Sequence, residues 1–565
     1  MSFYALQADR TAAMLAATPG WRRLLALRPD LDDDTAAAIL GEAARIAEGV
    51  VAPLNARADR VGCRIEAGRV RTPEGYADAY RQLGEGGWLA MDAPEAHGGQ
   101  GLPVTLQAAC QPLFERACIA FMMAAGSAHA AVQLLHEVAD ADTAAEWIPR
   151  LATGEWAATI CISEPDAGSD VGRIRTRAAR AGDGWTVTGE KIWISFGDHD
   201  MTPRIGHCLL ARTGDAPGTR GLSLFLVPNT RVDGSANAIT VQRIEEKLGL
   251  HGSPTCALAF EGAEAVLLGA EGRGLPQLFA MIEMMRLSTA CQGLGVASGA
   301  CDTARAYAAE RRQGGDPAAP AVPILAHADV RRQILDMEAR TEVLRLAILE
   351  LATAMDLARC EPDPAVAADH AAFAAWMLPL AKNFGGETGF DVASRAIQVL
   401  GGAGYTREWP VEQALRDTRI VSIYEGTTGM QALDFLTRRL WRDEGRGLAL
   451  FLARAHAEIA AAQPQQAEAA TALADLLGRF ERLSSEMMAL RNDPRAGELA
   501  SDGYLRAAWC ALTGWMALRL AAPSLPTPLA GLSAWRLAGL AAEFEAHAAR
   551  CRLPAALADA PFAAG

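Results

Sequence analysis

A single stretch of β texture lies inside a chain that otherwise reads as helix, and that order limits what the chain can fold into. From about residue 156 to 270, short apolar runs recur: Trp185-Thr-Val-Thr188, His207-Cys-Leu-Leu210, Leu222-Ser-Leu-Phe-Leu-Val227 and Ala257-Leu-Ala-Phe260. Gly, Pro, Asp and Asn punctuate them, which predicts a small antiparallel β domain.

Helical spacing governs both flanks. Leu31-Asp-Asp-Asp34 offers capping carboxylates ahead of Ile39, Leu40, Ala43 and Ile46. Glu95-Ala-His-Gly-Gly-Gln-Gly101 predicts a loop between helices. Beyond 275, Val330, Ile334, Met337, Thr341, Leu344, Ile348 and Leu351 alternate steps of four and three, one stripe suited to a bundle. Breaks at Gly314–Pro323 and Glu361–Pro364 separate the bundle helices. After Arg442-Asp-Glu-Gly-Arg-Gly447 a further Ala/Leu helical stretch runs on, interrupted at Pro523–Pro528. The fold class is α+β multidomain. A helical domain with an N-terminal extension (1–155) precedes the β domain (156–274). A helical bundle (275–442) and an additional C-terminal helical domain (447–565) follow.

Bulk properties narrow the function. A chain of 565 residues exceeds one hydrophobic core. Its net charge of −14 disfavours nucleic acid as the main partner, because phosphate binding needs a concentrated basic surface. The eleven cysteines form no C-x-x-C pair and read as reduced, mostly buried thiols; no motif predicts a metal. No run of about 18 uncharged apolar residues predicts a membrane span. Met1–Arg10 does not read as a secretory leader, so a cytoplasmic location is expected. Gln292-Gly-Leu-Gly-Val-Ala-Ser-Gly299 lacks dinucleotide-loop spacing and reads as small-residue helix packing. His129 and His136 read as ordinary helix histidines, and Trp509, Trp515 and Trp535 chiefly as core.

Three segments carry candidate chemistry. In the first, Gln398-Val-Leu-Gly-Gly-Ala-Gly-Tyr405 is followed by Arg416-Asp417 and Ile423-Tyr-Glu-Gly-Thr-Thr-Gly429, so two glycine turns bracket a helix and Glu425 sits at a glycine-flanked turn. The second is Cys161-Ile-Ser-Glu-Pro-Asp-Ala-Gly-Ser-Asp170, and the third Lys191-Ile-Trp-Ile-Ser195. Taken singly they are a surface carboxylate, a polar turn and a strand with a core Trp. In this order and spacing they resemble the acyl-CoA dehydrogenase family. Lys247-Leu-Gly-Leu-His-Gly-Ser-Pro-Thr255 and Glu310-Arg-Arg-Gln-Gly314 fit the same pattern. The likeness covers about 40 to 440. It reaches both ends in the longer branch that includes 3-methylmercaptopropionyl-CoA dehydrogenases, with its Tyr-Glu-Gly-Thr-x-Gly form and added C-terminal helices.

The resemblance implies FAD-dependent conversion of an acyl-CoA thioester to the trans-2-enoyl thioester. Glu425 would abstract the α proton, the β hydride would pass to flavin N5, and the electrons would go to an electron-transfer flavoprotein. The Glu425 N–H and the flavin ribityl hydroxyl would hold the thioester oxygen. It places the flavin between the β domain and the bundle, touched by Ile160, Ile162, Ser163, Trp193 and Ser195. Arg311, Gln313, Gln398, Gly401 and Gly402 would reach the cofactor across a homodimer, and Thr427 would cap the pyrophosphate. Ser169, Arg286, Tyr424 and Gly426 match substrate-contacting positions. Two departures stand out: Gln313-Gly314 replaces a common Thr-Phe before the glycine, and Gly429 replaces a common Gln. An acyl-CoA oxidase using O2 shares the same base. A non-catalytic nucleic-acid-binding relative would need a basic stripe, which the nearly balanced charge of 446–565 does not offer. Membrane docking of the added domain stays open. Acyl-chain preference rests on positions between about 85 and 135, such as Phe121-Met-Met-Ala-Ala125.

Overall fold

The computed structural model describes residues 2–562. They form two compact units.

One unit comprises 46–103 and 117–288. A short hairpin pairs β1 (Arg64–Glu66) with β2 (Arg69–Arg71). The main sheet contains β3 (Ala157–Cys161), β4 (Arg177–Ala181), β5 (Gly184–Ser195), β6 (Ile205–Arg212), β7 (Leu222–Pro228), β8 (Ile239–Ile244) and β9 (Thr255–Leu268). The pairings close on themselves through β4, β5, β9, β7 and β6, with β3 added to β6 and β8 to β9. Closure leaves fewer exposed edges to pair with other chains. The sheet is mostly antiparallel, as the turn-rich punctuation predicts. The β3–β6 pair runs parallel, because the chain leaves the sheet after Cys161 and forms the β4–β5 hairpin before β6 begins. Period-two residues fill the interior: Trp185 and Val187, Leu209 and Ala211, Phe225 and Val227, Leu258 and Phe260. Burying each of the Phe side chains contributes about 2–3 kcal/mol.

The other unit comprises 2–45, 104–116 and 289–562. Asp32 caps the Asp33–Ile46 helix by accepting from the Thr35 N–H at 2.7 Å. The Ala328–Cys360 and Pro364–Leu400 helices pack together across the short Glu361–Asp363 connection. The expected stripe is buried from Ile334 to Leu351, but burial goes further: between Thr341 and Ala354 every residue is buried. A helix enclosed on all sides needs partners for its polar groups. Arg345 accordingly pairs with Glu342 at 2.8 Å and donates to Ser298 and Thr11. The added helices Arg446–Ala460, Ala467–Ala489, Pro494–Leu520 and Thr527–Cys551 share a core with the bundle. Trp376 stacks on Phe451 with centroids 4.6 Å apart, and Phe451 meets Trp515 edge-on. Arg519 is buried between Glu350 and Glu458. Trp509 and Trp515 are buried as expected, whereas Trp535 is partly exposed and donates to Asp336.

Among the described residues one helix, Val104–Val138, is long and apolar enough to cross a membrane; 94% of its most apolar window is buried in protein, as in a core helix. The Gly293 region is helix packing, as its spacing predicts. A Cβ at Gly293 would stand 1.8 Å from the Gly385 carbonyl oxygen. Gly-to-Ala in an open helix gains about 1 kcal/mol. Here the backbone contact dominates, so Gly293→Ala is expected to lower stability by roughly 1–3 kcal/mol or more. Thermal and urea unfolding check this; an unchanged or raised Tm contradicts the packing account.

Candidate active site

Glu425 lies between the Val411–Thr418 helix, with its trailing turn Arg419–Ser422, and the Thr428–Leu436 helix. Its φ is +54°, a left-handed conformation that costs an L-residue about 1 kcal/mol or more; Gly426 follows at φ +94°. Side-chain donors hold this kink. Lys382 Nζ donates to the Gly426 carbonyl at 2.7 Å. Gln431 Nε2 donates to the Glu425 and Gly426 carbonyls at 3.1 and 3.4 Å. The φ of Gly426 is one that side chains rarely adopt, and a Cβ there would also displace Gln431 Nε2, 2.7 Å away, from the loop carbonyls. Gly386 on the Pro364–Leu400 helix is equally constrained, since a Cβ there would lie 2.8 Å from the Ser422 N. The helix and the loop therefore touch backbone to backbone.

Tyr424 donates a hydrogen bond from its hydroxyl to Gln292 Oε1. Burial, reinforced by the carboxylates of Glu115 and Glu425, raises its hydroxyl well above the usual phenol range. Glu115 is itself fully buried and accepts from Gln111 at 2.9 Å; burial pushes its carboxyl up to about 8 against that bond.

The other unit orders the second set. β3 ends at Cys161, and Ile162 and Ser163 continue past it. The Ile192 N–H donates to the Ser163 carbonyl at 2.9 Å, and Lys191 Nζ donates to the Ile162 carbonyl at 2.9 Å. These bonds bring the two predicted segments together. Between Lys191 and Ile194 the β5–β9 register shifts. At that bulge Trp193 takes φ +64° and stays 59% exposed, turning its indole out of the sheet. Ile160, Ser163 and Ser195 are half-buried, Ser169 is exposed, and Arg286 is half-buried on the Gly274–Glu310 helix.

Arg311, Gln313, Gln398, Gly401, Gly402 and Thr427 are all exposed in the single chain. Arg311 and Gln313 lie on a loop folded back on itself, where Gln313 N donates to the Val322 carbonyl and Ile324 N to the Arg311 carbonyl. Gly401, at φ +63°, ends the Pro364–Leu400 helix, and a Cβ on Gly401 or Gly402 would meet nothing within 4 Å. Lys382 and Gln431 escaped the sequence reading. The signal for Lys382 was visible: a lone cation in the apolar run Trp376-Met-Leu-Pro-Leu-Ala-Lys382 has to find a buried acceptor. Among the described residues, Cys510, Glu543 and His547 form one group with metal-ligand chemistry, but Arg536 already pairs with Glu543 at 2.7 Å.

Three family models match in chain order: the acyl-CoA dehydrogenase N-terminal domain at 33–155, the middle domain at 159–263 and the C-terminal domain at 272–440. The chain is 36% identical to 3-methylmercaptopropionyl-CoA dehydrogenase of Ruegeria pomeroyi, over 88% of this chain and 87% of that one. It is 34% identical to a broad-specificity linear acyl-CoA dehydrogenase of Mycobacterium tuberculosis, over 89% of this chain and 87% of that one. A similar solved structure is Caenorhabditis elegans ACDH-11 in complex with C11-CoA. Its TM-score is 0.78 at 21% identity, covering 94% of this chain and 90% of that chain.

The Glu164–Lys191 pair yields a pH prediction. Lys191 Nζ donates to Glu164 Oε1 at 2.8 Å, and the Arg175 and Thr176 N–H groups donate to the same carboxylate. Burial raises the Glu164 carboxyl, but Lys191 and these hydrogen bonds together outweigh it and hold the group below the ordinary range. A depressed folded pKa means the stabilisation is complete above the unfolded value, about 4.3, and is lost as pH falls through the folded value. Glu164→Gln leaves Lys191 buried without its counter-charge, so a loss of about 3–5 kcal/mol is expected at pH 7. The difference from wild type should shrink below about pH 4. Urea unfolding against pH checks this; a pH-independent difference contradicts it.

Proposed function

The chain belongs to the acyl-CoA dehydrogenase family, and from that membership we propose that it oxidises an acyl-CoA to the trans-2-enoyl-CoA with Glu425 as the base. The observation that carries this reading is the kinked loop. Abstraction of an α proton needs a carboxylate at the reacting carbon, and among the described residues Glu425 combines the motif position with a strained backbone braced by Lys382 and Gln431.

The α C–H of a thioester is a weak acid, so it yields only to a fixed base and a donor on the carbonyl oxygen. The Glu425 carboxylate takes the α proton, a contribution of roughly 10²–10⁴-fold for a positioned base. With both loop carbonyls already taken by Lys382 and Gln431, the kink is held in place, and in this reading the Glu425 N–H donates to the thioester oxygen. One such donor is worth about 3–4 kcal/mol. Tyr424 shapes the wall beside the base, and Gly426 leaves space for the thioester. Ser169 contacts the acyl-CoA, and Arg286 pairs with its coenzyme A portion.

The exposed groups fit FAD. The outward indole of Trp193 offers a flat face for an isoalloxazine, with the Ser163 and Ser195 hydroxyls as donors in the same unit. The open backbone at Gly401 and Gly402, the Arg311 guanidinium and the Thr427 hydroxyl suit a pyrophosphate. Bound FAD supplies the acceptor for the β hydride. Arg311, Gln313, Gln398, Gly401 and Gly402 serve the cofactor of a second copy in a homodimer; Tyr405, 84% exposed beside them, offers that copy an apolar contact. The electrons leave to an electron-transfer flavoprotein.

Glu425→Gln is expected to keep its flavin and lose roughly 10²–10⁴-fold in turnover. Anaerobic flavin bleaching with a panel of acyl-CoAs measures this and identifies the preferred chain; bleaching by the variant at the wild-type rate contradicts the assignment. The acceptor is tested in air: reduction of an electron-transfer flavoprotein without peroxide is the expected result. Stoichiometric peroxide makes the protein an oxidase instead.

A further inference from the structure

The helices after residue 442 have no place in the chemistry above, yet one of their side chains is tied to the base loop. Arg506 lies on the Pro494–Leu520 helix and grips Glu387 with two parallel bonds, Nη1 to Oε2 at 2.8 Å and Nη2 to Oε1 at 3.0 Å. Asp502, one turn earlier, accepts from Arg506 Nε at 2.9 Å and fixes the guanidinium plane. Glu387 is on the Pro364–Leu400 helix, where Oε1 also accepts from Asn383 Nδ2 at 3.2 Å and from Thr428 Oγ1 at 3.3 Å. Thr428 opens the helix that follows the base loop, three positions after Glu425. Lys382, which holds the Gly426 carbonyl, and Gly386, which allows the loop its close approach, lie on the same helix. Trp509 stacks flat on Phe384, with centroids 4.7 Å apart and planes 9° apart, so the two helices are locked side by side at this point. A bidentate guanidinium–carboxylate pair fixes orientation as well as distance.

We propose that the added C-terminal domain braces the base loop, with Arg506 as a positioning residue acting through Glu387 and Thr428. The proposal rests on Glu425 being the base. Arg506 touches no substrate; it keeps Glu387 turned toward Thr428, and Thr428 keeps the far end of the loop in register with the end that Lys382 and Gln431 hold. Small misplacements of a reacting group cost as much as about 100-fold in rate.

The test is anaerobic stopped-flow reduction of the flavin-loaded full chain by acyl-CoA, which separates the limiting reduction rate from substrate affinity. Arg506→Gln is expected to slow the limiting rate by about 10-fold or more, with flavin content and substrate Kd changed less than about 3-fold. Arg506→Lys, which keeps one charged donor, should recover part of that loss. Thr428→Val, nearly the same shape without the hydroxyl, should slow reduction in the same direction even if Arg506→Gln does not fold. Arg552→Gln, which breaks a surface pair with Glu486 elsewhere on the domain, should leave the rate unchanged. Wild-type rates in Arg506→Gln and Thr428→Val, alongside an inactive Glu425→Gln, overturn the brace and leave the base standing. Equal slowing by Arg552→Gln also overturns it. A fully active Glu425→Gln overturns the base itself.

Discussion

A left-handed backbone at Glu425 is the constraint around which this part of the fold is organised. An L-residue does not hold φ +54° without help. The help comes from two buried polar side chains, Lys382 and Gln431, whose own burial is tolerable because the loop carbonyls accept from them. Strained loop and buried donors thus need each other. Removing the donors leaves unsatisfied carbonyls, and straightening the loop leaves an ammonium in an apolar helix run. The close approach at Gly386 depends on the same arrangement, since the loop lies where a side chain would otherwise stand.

The same device appears in the β unit. Trp193 also has a positive φ, at a bulge where β5 loses register with β9. Regular alternation would leave the indole as one more side chain of the sheet. The bulge turns it outward, and the buried Lys191–Glu164 pair next to it ties the strand to the loop carrying Ile162 and Ser163. Glu425 and Trp193 are two of the six non-glycine residues with positive φ among the described residues, and both were singled out by their motifs. Strain kept at a motif residue points to a geometry the site requires.

Much of this was readable from residue patterns. Periodicity located the long bundle helix and four of the nine strands (β5, β6, β7 and β9), proline and glycine clusters fell between helices, and the glycine stripe near 293 read correctly as helix contact. Other features depend on distant partners and leave no local trace. The parallel β3–β6 pair reflects the path of the chain rather than strand composition. The complete burial of Thr341–Ala354 comes from helices near both ends of the chain as well as from the bundle, which a stripe of period 3.6 cannot foresee. Lys382 meets the base loop 44 residues along the chain, and Arg506 meets Glu387 at a separation of 119. In both, sequence shows a charged residue among apolar neighbours and is silent about what it faces.

The central claim is that one carboxylate takes the α proton of a thioester. It is tested most directly by separating that step from oxidation. An acyl-CoA whose β carbon bears no hydrogen can lose its α proton but cannot be dehydrogenated. Incubated with the flavin-loaded protein in deuterated water, such a compound should exchange its α hydrogens, read by mass spectrometry, and Glu425→Gln should abolish the exchange. Exchange by Glu425→Gln at the wild-type rate would contradict the account.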